Sequence, residues 1–505
     1  MKLPNPLIPG FNPDPSIIRV GDDYYLATST FEYRPGIPIY HSTDLVNWKL
    51  VSHVVTRPGQ LKDDGTATLG GAWAPTLRHH EGVFYLAVTD ALGRGTVVFT
   101  AESVTDEWSD GIRIDVEGID PDLAWDENGV CFMSFSGLIL RGKEAGVHKG
   151  IQQVRIDLNT GERLEEVRNI WSGTGLMFPE APHLYNIDGW WYLIIAEGGT
   201  ERGHAVSIAR SRNPDGPFEG APNNPILSAR STARPIQNTG HADIVQTAEG
   251  DWVMVALGMR TRGNTRAFSS LGRETFATNF VWKDGWPVVD PIEANDLVAP
   301  PEFKAIFVGN DRVFDPGHEL IAVRSFPQQI CSLSPGGLKL VGSGKSLSSD
   351  APTWIGRRQS RFDSLNSVQF SVDSPNTRAG LSVRYDEWSH YDIEYWDGKV
   401  IARSSLSKLS HEVVVDDPNV DIARLELFIE MGPPGPTFFE GVTSDLIHLG
   451  YVDQHGERIA VAVFDGRYLS AEVTASFTGR VVGFYATDGE ITVKEFSESS
   501  SSKAN

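Results

Sequence analysis

Thiols are scarce in this chain. Two cysteines in 505 residues, Cys131 and Cys331, stand far apart with no metal-ligand partners at useful spacing. That excludes a disulfide framework and a thiolate metal centre, so both read as buried thiols. Positive charge is also short: 44 Lys and Arg stand against 66 Asp and Glu, a net charge of −22. With no basic cluster to offset it, this balance opposes a nucleic-acid partner. Long apolar runs are missing too; "WWYLIIA" (190–196) has the length of a strand, not of a membrane span, so no membrane partner is expected. The opening "MKLPNPLIPG" is broken by three prolines and has no apolar signal-peptide core. The expected compartment is therefore the reducing cytoplasm, or the exterior if a leader has been removed. HExxH, GxGxxG and GxSxG are likewise absent, which removes zinc peptidase, dinucleotide and serine-elbow chemistry from consideration.

What is present is turn chemistry and repetition. Fifty Gly, thirty Pro and many short apolar runs favour an all-β architecture. The run "DDYYLATS" (22–29) recurs as "GVFYLAVT" (82–89), "GVCFMSFS" (129–136), "GWWYLIIA" (189–196) and "GDWVMVAL" (250–257). Each is a Gly or Asp turn followed by aromatic and β-branched residues, the second strand of a hairpin. Upstream, in fixed register, lie matching first strands: "DPSIIRV", "APTLRHH", "DPDLAWD", "APHLYNI" and "ADIVQTA". Five such units predict a five-bladed β-propeller, with each first strand lining a central channel. A β-sandwich with accidental similarity is the weaker alternative.

The heads of those first strands are Asp14, Trp73–Ala74, Asp120, Glu180–Ala181 and His241–Ala242. Blade symmetry brings equivalent positions to one axis. Asp14, wedged between Pro13 and Pro15 in backbone expected to be extended, reads alone as an ordinary turn residue. In a ring with Asp120 and Glu180 it reads as functional, because a fold gains nothing from crowding carboxylates unless they bind or react. Two separated carboxyl groups, one protonated and one ionised, are what glycosidic cleavage requires. A third nearby would keep the acid protonated by like-charge interaction. Trp73 and Phe31 offer flat faces to a sugar ring, although either alone reads equally well as a core or rim aromatic. Arg273 in "LGRETF" offers a fork to hydroxyls or a carboxylate, and His241 a ligand to a structural Ca²⁺ in the channel.

The segments "NPLIPGFNPDPSIIRVGDDYYLATSTFEYRPG", "GGAWAPTLRHHEGVFYL", "GIDPDLAWDENG", "EAPHLYNIDGWWYLIIAEGGT", "NTGHADIVQT" and "LGRETF" together resemble glycoside hydrolase family 43. More narrowly they resemble its β-xylosidase and α-L-arabinofuranosidase branch. The resemblance implies an inverting mechanism, with Asp14 as general base and Glu180 as general acid. Asp120 would orient Glu180 and tune its pKa. Asp122, two residues on, should share Asp120's side of the strand and is the rival assignment. The resemblance also implies Phe31, Trp73 and Arg273 around the terminal sugar, His241 near a Ca²⁺ through ordered water, and no cofactor for the chemistry itself. Two features depart from the family pattern: Arg34 in "EYRPG", and the unplaced segment "SGLILRGKEAGVHKG" (136–150).

The propeller is expected over 1–302, ending at the linker prolines Pro300 and Pro301. Strands such as "SVQFSVD", "AGLSVRYD", "YDIEYWDG" and "RVVGFYATDG" then predict a C-terminal β-sandwich, a jelly-roll, over 303–497. Phe477 in this domain is a further candidate substrate contact, and 498–505 is expected to be a disordered tail. The expected activity is exo-acting release of xylose or arabinofuranose from xylo-oligosaccharides or arabinoxylan fragments. An endo-acting arabinanase and a non-catalytic propeller lectin are the alternatives, and the sequence leaves open whether the chain forms a homo-oligomer.

Overall fold

The computed structural model describes residues 1–62, 65–264, 268–295, 298–307 and 318–501. The chain divides into two compact units. The first comprises Met1–Arg260 and Glu274–Val298; the second comprises Thr261–Arg273 and Ala299–Asn505. The expected boundary at 302 is thus close in the linear chain. It misses the excursion Thr261–Arg273, which leaves the fifth blade between two of its strands and belongs to the second unit.

Among the described residues the first unit is five antiparallel sheets. Their innermost strands are Ser16–Val20, Gly71–His80, Ile119–Trp125, Glu180–Ile187 and Ile236–Gln246. Each inner strand contacts the next and the fifth contacts the first, so the ring closes into a propeller. Every blade begins with the predicted hairpin; in blade 1, Ser16–Val20 pairs Asp23–Ala27 across a two-residue turn containing Gly21 at φ 63°. Apolar residues pointing between neighbouring blades form the core. Leu123, Met133 and Phe135 of blade 3 pack with Ala87 and Val98 of blade 2, and Leu26 and Ile17 of blade 1 with Val253 and Val255 of blade 5. The N-terminal segment seals that last interface: the Leu7 and Ile8 amides donate to the Thr275 carbonyl, and the Asn5 side chain brackets Ala277 with two hydrogen bonds.

The second unit is a sandwich of antiparallel sheets. One sheet runs Cys331–Ser334, Gly337–Val341, Glu490–Ser500, Ser364–Val372, Leu425–Gly432, Leu446–Val452, Arg458–Asp465. The other includes Trp354–Arg358, Val481–Asp488, Arg378–Arg384, Ser389–Trp396, Lys399–Leu406 and Leu409–Val415 in that order. Glu490–Ser500 continues as a strand past 497, since its backbone pairs with Ser364–Val372 through Ser500. The polar composition of 498–500 therefore did not mean disorder, and residues 502–505 of the expected tail lie outside the described residues. Cys131 is buried as expected. Cys331 is only half-buried, and burial pushes its thiol up to about 12.

Candidate active site

Four of the five inner strands carry a left-handed residue at or beside the predicted strand head. Asp14, Asp120, Ala181 and His241 have φ of 57°, 53°, 50° and 47°, the left-handed region that L-residues rarely enter. Pairing registers shift beside three of these, between Ile119 and Asp122, Glu180 and His183, and Gly240 and Ala242, with a fourth shift between Ala72 and Pro75 in blade 2. A bulge of this kind turns side chains away from the direction that strict alternation dictates. The two prolines flanking Asp14 therefore do not leave it extended; its left-handed φ sets the carboxylate apart from the strand that follows.

The same device separates Asp120 from Asp122. Alternation would place them on one side, but they diverge. Asp120 Oδ2 accepts the amide of Ala181, the residue after Glu180, at 3.1 Å. Asp122 turns into the channel, where Oδ1 lies 2.7 Å from the Arg78 guanidinium and Oδ2 accepts the Leu184 amide at 2.8 Å. Asp122 thus belongs to a buried ion pair, whereas Asp120 accepts a backbone amide beside Glu180.

At the mouth, Asp14 is 4% exposed; its Oδ2 accepts the Ser29 hydroxyl at 2.5 Å, and its Oδ1 lies 3.4 Å from His241 Nδ1. The His241 ring lies 6.4 Å from that of His183, on the strand headed by Glu180. These contacts link the Asp14, Asp120, Glu180 and His241 strand heads around one axis. Phe31 joins them as a backbone neighbour of Trp73: its amide donates to the Ala72 carbonyl and its carbonyl accepts the Ala72 amide. That approach requires glycine at 71, where a Cβ would stand 2.4 Å from the Phe31 carbonyl oxygen. The Trp73 indole is fixed by donating to the Leu69 carbonyl at 2.6 Å. Arg34 is buried and donates to the carbonyls of Phe31, Tyr33 and Lys62, so it props the Phe31 loop. Arg273 and Phe477 belong to the second unit, where the Arg273 guanidinium donates to the Phe477 carbonyl and lies 5.4 Å from its ring centroid.

Sequence reasoning missed the channel below the mouth. Arg78 is buried and bridges Asp122 and Asp243, with a second contact of 3.1 Å to Asp243 Oδ2. Asp243 also accepts the Ser16 hydroxyl at 2.8 Å and the Tyr185 hydroxyl. Burial alone would push the Asp243 carboxyl up, but Arg78, His183 and Ser16 outweigh it and hold it below the usual carboxylate value. No motif in the sequence singles out Arg78, because its partners come from other blades. The segment 136–150 is now placed as well. It forms the hairpin between Cys131–Leu138 and His148–Arg155, and it brings His148 Nε2 to 3.9 Å from Glu180 Oε1.

A directly coordinated Ca²⁺ fits these side chains poorly, whereas the expected contact to His241 runs through ordered water. Arg78 donates to His183 Nδ1 at 3.0 Å; a guanidinium can only donate, so the neutral ring carries its proton on Nε2 and offers a cation no lone pair there. The channel carboxylates are already held by Arg78, and among the described residues no group of three or more His, Cys, Asp or Glu is arranged to hold a metal ion. His241 thus lies beside a carboxylate and an imidazole but in no directly coordinating set.

Comparison with known proteins agrees with this architecture. The model of "Glycosyl hydrolases family 43" matches residues 3–287, and that of the "Beta xylosidase C-terminal Concanavalin A-like domain" matches 317–496. A Bacteroides ovatus protein named non-reducing end alpha-L-arabinofuranosidase BoGH43B is 35% identical over 96% of this chain and 91% of its own length. A Vibrio protein named xylan 1,3-beta-xylosidase is 33% identical over 84% of this chain and 86% of its own. The crystal structure of a xylan beta-1,4-xylosidase from Bacillus halodurans superposes with a TM-score of 0.86 at 30% identity, covering 98% of this chain and 100% of that one. With its propeller, its sandwich and these matches along nearly its whole length, the chain belongs to glycosyl hydrolase family 43 and is a glycosidase acting on a small carbohydrate substrate.

Proposed function

We propose that this glycosidase is exo-acting and inverting, releasing terminal β-1,4-linked xylose or α-L-arabinofuranose from xylan- or arabinoxylan-derived oligosaccharides. Asp14, ionised, takes a proton from the attacking water. Glu180 delivers a proton to the departing glycosidic oxygen from the opposite side of the sugar. Asp120 orients Glu180 from the neighbouring blade. The observation that carries this reading is the hydrogen bond from the Ala181 amide to Asp120, which ties the head of the Glu180 strand to the next carboxylate of the ring. Phe31 and Trp73, tethered through Ala72, supply the apolar floor for the terminal sugar. The names of the similar proteins cover both sugars and a β-1,3 linkage.

The test is to assay 4-nitrophenyl β-D-xylopyranoside and α-L-arabinofuranoside side by side, then β-1,4- and β-1,3-xylobiose, following the first-formed anomer by NMR. The inverted anomer should appear first, and both Asp14→Asn and Glu180→Gln should lower the rate of release from xylobiose by about 10²-fold or more. Initial release of the retained anomer, or a rate close to that of the unchanged protein after either substitution, would refute the assignment.

A further inference from the structure

We propose that His148 is a positioning residue for the proton donor, holding the Pro179–Glu180 segment through a directed hydrogen-bond relay; this rests on Glu180 acting as the acid. The relay reads in one direction only. The Gly150 amide donates to His148 Nδ1 at 3.3 Å, so that nitrogen carries no proton. The proton of the neutral ring is therefore on Nε2, 2.8 Å from Ser136 Oγ. Ser136 accepts it and donates its own hydroxyl proton to the Pro179 carbonyl at 3.1 Å. Pro179 immediately precedes Glu180. Ser136 is fully buried, so each bond in the series replaces one that water cannot supply.

The ring edge that feeds Ser136 also faces the carboxyl, with Nε2 3.9 Å from Glu180 Oε1. The His148 ring centroid lies 6.2 Å from that of Phe178, which comes from the same loop as Pro179. Burial lowers the imidazole pKa below its usual value, which keeps the ring neutral and its relay intact. The glutamate side chain is 23% exposed and must keep one rotamer as the sugar oxygen departs. A fixed backbone on one side and an imidazole edge on the other restrict it to that rotamer. The segment 136–150 thus gains a purpose: its hairpin pairs Leu138 with His148, setting the imidazole beside the acid.

A merely structural histidine and a positioning one respond differently to the leaving group. Xylobiose needs a proton at the departing oxygen, whereas 2,4-dinitrophenyl β-D-xylopyranoside does not. His148→Phe keeps ring volume and removes the relay; it should lower kcat on xylobiose on the order of tenfold, with KM unchanged and the dinitrophenyl rate altered by less than about twofold. His148→Gln, whose amide can reach Ser136, should restore most of the loss. Ser136→Ala breaks the same relay with a smaller change of volume, and should show the same split if His148→Phe folds poorly. Equal loss on both substrates, or no loss on either, would overturn the proposal. Glu180→Gln serves as the separate control. If it spares the dinitrophenyl substrate and His148→Phe does not, the relay fails and the acid stands. If Glu180→Gln itself shows no leaving-group dependence, the acid assignment fails.

Discussion

Asp120 and Asp122 occupy one strand two residues apart, yet belong to two different environments. The mouth of the propeller holds Asp14, Asp120 and Glu180 on irregular backbone, in contact with hydroxyls, amides and imidazoles. The channel beneath holds Asp122 and Asp243 on regular strand, clamped to one buried arginine. The mouth tolerates left-handed backbone, which costs stability and is kept where it aims a reacting group. The channel does the reverse: its charges are arranged to cancel, because a buried charge left unpaired is expensive. Acidic residues of the same repeat thus meet hydroxyls, amides and imidazoles in one layer and a guanidinium in the other.

Substitutions should separate the two layers. The largest effect is expected at the mouth. Asp14→Asn or Glu180→Gln should cut kcat on xylobiose by roughly 10²–10⁴-fold while the thermal midpoint stays nearly constant, as steady-state kinetics and calorimetry will show. The next falls in the channel. Asp243→Asn leaves Arg78 with half its compensation and should cost about 3–5 kcal/mol in urea unfolding. Asp120→Asn against Asp122→Asn is the sharpest comparison: the first should lower kcat and spare stability, the second should lower stability first. Similar profiles for the pair would erase the distinction between layers.

Acid should act on the channel too. The Asp243 carboxyl is held below its ordinary value in the folded chain, so its contribution is complete above about pH 4 and is lost as pH falls through the folded value. Thermal midpoints measured from neutral pH downward should therefore drop below about pH 4, and less steeply in Asp243→Asn. The smallest effect should come from calcium. Because Arg78 already sits among the channel carboxylates, adding Ca²⁺ or removing it with a chelator should change the rate by less than about twofold.

Much of this was legible in the residues. Turn signals and the recurring "GWWYLIIA"-type strands gave the five hairpins, because glycine turns and β-branched runs act locally. The heads of the inner strands could be listed for the same reason. Strict alternation, however, put Asp120 and Asp122 together, since it has no term for a bulge. Arg78 drew no functional reading because what buries it arrives from blades 3, 4 and 5. His148 sat in a segment with no motif, and only its hairpin register brings it to Glu180. The excursion Thr261–Arg273 carried no compositional mark to show which unit would claim it.

The amino-acid order by itself determined the repeat, the propeller, the sandwich and the set of acidic residues at the strand heads, all of which follow from short-range periodicity and turn chemistry. Tertiary structure alone decided that Asp120 accepts the Ala181 amide while Asp122 and Asp243 are neutralised by Arg78, and which imidazole stands beside Glu180. Those outcomes depend on backbone twists of one or two residues and on partners dozens of positions away in the chain, and neither is written in local pattern.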